Sequence, residues 1–193
     1  CRSAVATVGV SIEPLVDIDI TSATSDGISN SICVDFVTGA LISGLTLESG
    51  LPDDGTYTFQ WALGGADIAG ATGADYTITD PSGFGDYTVT ATTALGCVSV
   101  SDAFTVVQGG PASIAAGTSG YTVSNAFAQD QTIIVTVQGF GTYHYQLDNG
   151  PILDNGGIFT DVAPGIHTVT IYDMEGQGAE HCDSITIGGI QTI

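Results

Sequence analysis

The sequence predicts an all-β protein: two tandem β-sandwiches, with an additional strand ahead of the first. Three observations carry this. Residues 56–61, Thr-Tyr-Thr-Phe-Gln-Trp, alternate polar and aromatic side chains with period two, which places Tyr57, Phe59 and Trp61 on one face of a strand. The single Trp lies between Cys33 and Cys97, an order that suits two sheets closed over a central indole. Turn signals rich in Gly, Asp and Asn recur at the spacing of short antiparallel strands, and no helical period competes with them.

Taken in order, residues 4–12 alternate as a strand and end at Glu13-Pro14. Residues 16–20, 32–36 and 44–48 follow, then the aromatic strand after the turn Pro52-Asp53-Asp54-Gly55. Residues 67–73 form a turning edge, 76–79 a short strand, 87–92 a longer one, and 97–107 the last of the first domain. Gln108-Gly109-Gly110-Pro111 is a hinge too short to act as a flexible linker. Beyond it, strands are expected at 121–123, 132–137, 143–147, 158–159, 167–172 and 184–187. Asp148-Asn149-Gly150 and Asp154-Asn155-Gly156 are hairpin turns in which Asn-Gly accepts positive φ. The division is therefore 1–14, 15–108 and 109–193.

Composition excludes several functions. The chain has 193 residues, a net charge of −20, and one basic side chain besides three His, Arg2. Nucleic acid and anionic membrane surfaces would be repelled. No apolar run reaches the ~20 residues of a membrane helix, so no direct membrane insertion is expected. Cations for surface ion pairs are missing, so stability must come from the 43% hydrophobic residues and from disulfides. Acidity of this kind keeps an apolar β protein soluble by self-repulsion. Four Cys without a C-x-x-C pair indicate an oxidising, extracellular setting rather than a zinc site.

The two halves are weak copies of each other. Tyr57-Thr58-Phe59-Gln60-Trp61 matches Tyr143-His144-Tyr145-Gln146-Leu147, and Gly85-Asp86-Tyr87-Thr88-Val89 matches Gly165-Ile166-His167-Thr168-Val169. The run from Cys1 to Val8 echoes the run from Cys97 to Val106, each followed by a Pro-containing hinge. Residues 1–14 are accordingly the last strand of a preceding repeat plus its hinge. Their sheet is expected from that repeat or, by strand addition, from a neighbouring subunit of a filament.

On these residues the first domain resembles the tandem Ig-like repeats of very large Bacteroidota surface proteins. The second, with Tyr145-Gln146-Leu147-Asp148-Asn149-Gly150-Pro151 and Phe159-Thr160-Asp161-Val162-Ala163-Pro164-Gly165, is similar to the PKD-like repeats of type IX-secreted gliding-motility adhesins. It departs from that pattern where Glu180-His181-Cys182 replaces the usual Gly-Cys, and no type IX signal follows. The resemblance implies a non-enzymatic, cell-surface spacer or filament segment whose partners are adjacent repeats or neighbouring subunits.

Residues that could carry chemistry are few. The three His are far apart in sequence, and no nucleophile elbow accompanies Ser, His and Asp, so no catalytic residue is assigned and no enzyme is expected. His167 occupies the slot of Tyr87, where a Tyr ties a sandwich corner to nearby backbone, and is expected in the core with Tyr87 and Tyr145. Asp53 and Asp54 are the carboxylates from which a Ca²⁺ site would be built, against plain turn chemistry; no other cofactor is implied. Ser184, in Asp183-Ser184-Ile185, fits a short O-glycosylation pattern. A carbohydrate-binding module that stacks surface glycans on Trp61, Phe140, Tyr143 and Tyr145 is the alternative function, opposed by the inward alternation of Trp61. Cys33 opens an early strand and Cys97 the last, so the two are expected to form a disulfide within the first sandwich.

Overall fold

The computed structural model describes residues 15–23, 29–124, 131–174 and 182–193; the strand expected at residues 4–12 lies outside them. Among the described residues every regular element is a strand. The first sandwich comprises β1 (Thr21–Ser22), β2 (Ser31–Val34), β3 (Leu41–Ser43), β4 (Thr46–Glu48), β5 (Tyr57–Leu63), β6 (Ala66–Asp67), β7 (Asp75–Thr77), β8 (Gly85–Thr93), β9 (Val98–Val100) and β10 (Phe104–Gly109). The second comprises β11 (Tyr121–Ser124), β12 (Gln131–Val135), β13 (Tyr143–Leu147), β14 (Ile152–Leu153), β15 (Ile158–Val162), β16 (Gly165–Asp173) and β17 (Ile185–Thr192).

In the first sandwich, β1, β4 and β7 form one sheet, and β3, β2, β10, β8, β5 and β6 the other in that order, with β9 also on β8. In the second, β11, β12 and β15 face β14, β13, β16 and β17. Among the described residues pairing is antiparallel except between β10 and β2, where Val107, Gln108 and Gly109 run parallel to Ser31, Ile32 and Cys33. Residues 16–20 make no ladder, yet Ile18 and Ile20 are buried, so their alternation serves packing alone. The strand expected at 97–107 is interrupted at 101–103, where it shifts from one part of β8 to another.

The alternation along β5 works as written: Phe59 and Trp61 are buried, Tyr57 half-buried and Thr58 exposed. The indole reaches across to the other sheet, 6.1 Å from the Tyr76 ring, and its Nε1–H donates to the Gly73 carbonyl at 3.0 Å. Ile32, Leu47, Ile78 and Val89 belong to the same buried core. Ile133, Val135, Tyr145, Phe159, Val169 and Ile171 belong to the second core. Each such aliphatic side chain contributes about 1.5–3 kcal/mol by burial, which is where a chain almost devoid of cations obtains its stability.

Both sandwiches turn a corner in the same way. The Tyr87 hydroxyl donates to the Gly83 carbonyl four residues back, at 2.9 Å, and burial pushes its pKa up to about 12. His167 reaches the carbonyl four residues back as well, Nε2 lying 3.0 Å from the Ala163 oxygen. Its Nδ1 lies 2.9 Å from Asp148 Oδ2. Asp148 is therefore more than a turn residue: it adopts φ +52°, and its other oxygen accepts the Thr168 N–H at 2.9 Å. The positive φ expected at Asn149-Gly150 belongs to Asp148 instead, because the carboxylate is tied to the neighbouring strand.

Candidate functional site

The most elaborately built place in the molecule is the junction between the sandwiches. β10 ends on Gly109, which pairs with Cys33 of β2, so Cys33 stands where the chain leaves the first sandwich. There it bonds to Cys182, which precedes β17 of the second sandwich; the Cα atoms are 5.7 Å apart and both residues are buried. This corrects the expected Cys33–Cys97 pairing. Eleven residues of nearly extended chain lie between Cys97 and Gly109, and at about 3.3 Å per residue that places Cys97 some tens of ångströms from Cys33, whereas a disulfide tolerates roughly 7 Å. Cys97 is a free, half-buried thiol at the opposite end of the sandwich.

The connecting peptide is held by side chains from two paired strands. Tyr143 of β13 and Asp173 of β16 are cross-strand partners, so their side chains emerge together at the end of the sheet that meets the first sandwich. Asp173 Oδ2 accepts the Gly110 N–H at 2.9 Å, and the Tyr143 hydroxyl donates to the Gly110 carbonyl at 3.0 Å. The same hydroxyl accepts the Gly141 N–H at 3.2 Å. Both backbone polar groups of Gly110, its N–H and its C=O, are thus satisfied by the second sandwich, which offsets the desolvation cost of burying them. Two glycines are required by contact: a Cβ at Gly110 would run into the Val34 carbonyl, and one at Gly141 into the Asp173 carboxylate. Beside them Phe36 of the first sandwich meets Phe140 of the second edge to face, 5.1 Å between ring centres.

A covalent bond, a hinge residue hydrogen-bonded through both its N–H and its C=O, and an aromatic contact together oppose bending and twisting of one sandwich on the other. Cys182, Tyr143, Asp173, Gly110 and Gly141 carry this, and sequence reasoning assigned none of them to it. The available signal was the hinge itself: two glycines and a proline between apolar strands, too short to act as a flexible linker.

The other candidate residues are scattered. Trp61 is fully buried and offers no face to a sugar; Phe140 and Tyr143 are engaged in the junction, and Tyr145 is in the core, where burial raises its pKa. Asp54 Oδ1 accepts the Thr56 N–H at 2.9 Å, and hydrogen bonds from Thr56 hold its carboxyl below the usual range. Among the described residues no third His, Cys, Asp or Glu joins Asp53 and Asp54 in a group suited to a metal ion. Ser184 is exposed, while His181 lies outside the described residues. A shallow groove of about 540 Å³ runs along Gly117–Thr122, lined by small hydroxyl-bearing residues, Tyr121 and Gln138.

No protein-family model matches this chain, and neither does any curated protein. Among solved structures it is similar to the three N-terminal domains of the highly immunogenic outer capsid protein (Hoc) of bacteriophage RB49, at 16% identity and a TM-score of 0.39. That likeness covers 90% of this chain, which spans 58% of the length of the phage structure.

Proposed function

We propose that this chain is a structural segment of an extracellular surface protein, a stiff, acidic spacer that holds a more distal part away from its point of attachment. The observation that carries the reading is the junction: Cys33–Cys182 ties the two sandwiches covalently, while Asp173 and Tyr143 fix the Gly110 peptide between them. A spacer transmits position only if its joints resist bending, and this joint is held at Gly110 and again at Cys33. The disulfide fits an oxidising compartment, and the net charge of −20 discourages lateral association between rods. The absence of Lys, with Arg2 the only Arg, removes nearly all trypsin-type cleavage sites, which suits a surface-exposed rod. Within this reading, the resemblance of the repeats points to a Bacteroidota adhesin or surface filament, with adjacent repeats or neighbouring subunits as partners.

Backbone ¹⁵N relaxation on the oxidised chain tests the mechanical claim. Residues of both sandwiches should report one common, anisotropic tumbling time. Separate, shorter tumbling times for the two halves would refute the spacer, because a freely jointed pair cannot hold a tip at a set distance.

A further inference from the structure

The two sandwiches are built on one plan, and the plan assigns a place to the thiol that the junction leaves unused. β8 and β16 are nine residues each, begin at the same kind of corner, and are followed by a Cys before the last strand: Cys97 in one case and Cys182 in the other. In the second sandwich this Cys lies at the end that receives the incoming chain, since Asp173 at the close of β16 binds Gly110 of the hinge. In the first sandwich the incoming chain arrives at the same end: the Val16 N–H donates to Ser99 Oγ at 3.0 Å, two residues beyond Cys97. Cys33, by contrast, is at the outgoing end. Each sandwich that carries both types of Cys can therefore reach one neighbour through each end.

The surroundings of Cys97 match a covered end better than a free one. Leu95, Val98 and Val100 are 77%, 51% and 61% exposed close to it in sequence, an apolar group beside the thiol. The Thr93–Cys97 turn is closed by hydrogen bonds in both directions, so the thiol is presented on a rigid element.

We propose that the end of the first sandwich bearing Cys97 docks a preceding β-sandwich of the same polypeptide. Cys97 is stapled there to a cysteine at that module's outgoing end, as Cys182 is stapled to Cys33. This rests on the spacer reading and extends it from one rigid joint to a series of them. The staple forms by thiol–disulfide exchange. One thiolate attacks the disulfide of an oxidant (an exported dithiol oxidase or a low-molecular-weight disulfide), and the second thiolate displaces the oxidant's remaining thiol. Two protons and two electrons leave the pair, and the oxidant is reduced to two thiols. Leu95, Val98 and Val100 lose water in the docked state, taking the role that Phe36 and Phe140 have at the existing joint.

Disulfide mapping on the full-length protein, as its cells export it, decides the matter. Free thiols are blocked first, and the protein is then cleaved before Asp without reduction. Cys97 falls in fragment 86–101, Cys33 in 26–34 and Cys182 in 173–182. The expected result is fragment 86–101 joined to a fragment from upstream of residue 1. Recovery of fragment 86–101 as the blocked thiol, joined to Cys1, or joined to a second copy of itself would each overturn the proposal. The link between 26–34 and 173–182 is read in the same map. If it is present while Cys97 lacks the upstream partner, the serial staple fails and the single rigid joint stands; if it is missing too, both fail.

Discussion

Removing the Cys33–Cys182 bond, by the double substitution Cys33→Ala/Cys182→Ala, should both weaken the protein and uncouple its halves. The bond spans a sequence separation of 149 residues, and in the chain-entropy model a closed loop of that length stabilises by about 5 kcal/mol. That is an upper figure, because Cys33 sits in a folded sheet beside a junction that other contacts also hold. Where the first sandwich unfolds alone, the bond closes a shorter loop, from Cys33 to the hinge at Gly110, and the same model gives about 4–5 kcal/mol. For a cooperative unit the size of the first sandwich, 4–5 kcal/mol corresponds to a fall in melting temperature of roughly 15–40 °C. The single Trp makes the assay specific: Trp61 is fully buried in the first sandwich, so its fluorescence reports that half alone, whereas far-ultraviolet circular dichroism reports both. In the oxidised wild type the two signals should change together. In the double variant the Trp61 transition should move down and separate from the dichroism transition. A Trp61 midpoint within a degree or two of wild type would refute the claim that this bond constrains the first sandwich.

Two further outcomes follow from the same geometry. Gly110→Ala forces a methyl group against the Val34 carbonyl and should cost about 1–3 kcal/mol or more by displacing the hinge peptide from Asp173 and Tyr143, read as a lower denaturation midpoint; an unchanged midpoint would show that the hinge has room to spare. The pH dependence should carry the signature of His167: both ring nitrogens face acceptors, Asp148 and the Ala163 carbonyl, and the hydrogen bond with Asp148 raises its pKa above the ordinary 6.5. A raised folded value means that folding takes up a proton, so this contribution is complete below about pH 6.5 and is lost as pH climbs through the folded value. The melting temperature should fall between pH 6 and pH 8, and His167→Gln should flatten that slope; an equal slope in the variant would place the titration elsewhere.

How far each feature could be read in advance depended on the range of the interactions behind it. The sequence alone determined the all-β class, the inward face of β5 with Trp61, and most strand positions, because these follow from period-two burial and local turn chemistry within a few residues. The corner role of His167 was legible too, since the internal repeat set it against Tyr87, although its second partner, Asp148, arrives from a turn 19 residues away and was read only as part of a hairpin. The junction was decided by tertiary structure. Cys order along the chain fits several pairings, and the parallel run of β10 beside β2 selected Cys182 for Cys33 by bringing the outgoing end of one sandwich to the incoming end of the next. Tyr143 and Asp173 are 30 residues apart and meet only through the register of β13 on β16. Gly110 became obligatory only once the Val34 carbonyl was packed against it. Local pattern fixes which face of a strand is buried; which residues converge where two sandwiches touch is set by strand register and sheet order, and no local pattern encodes those.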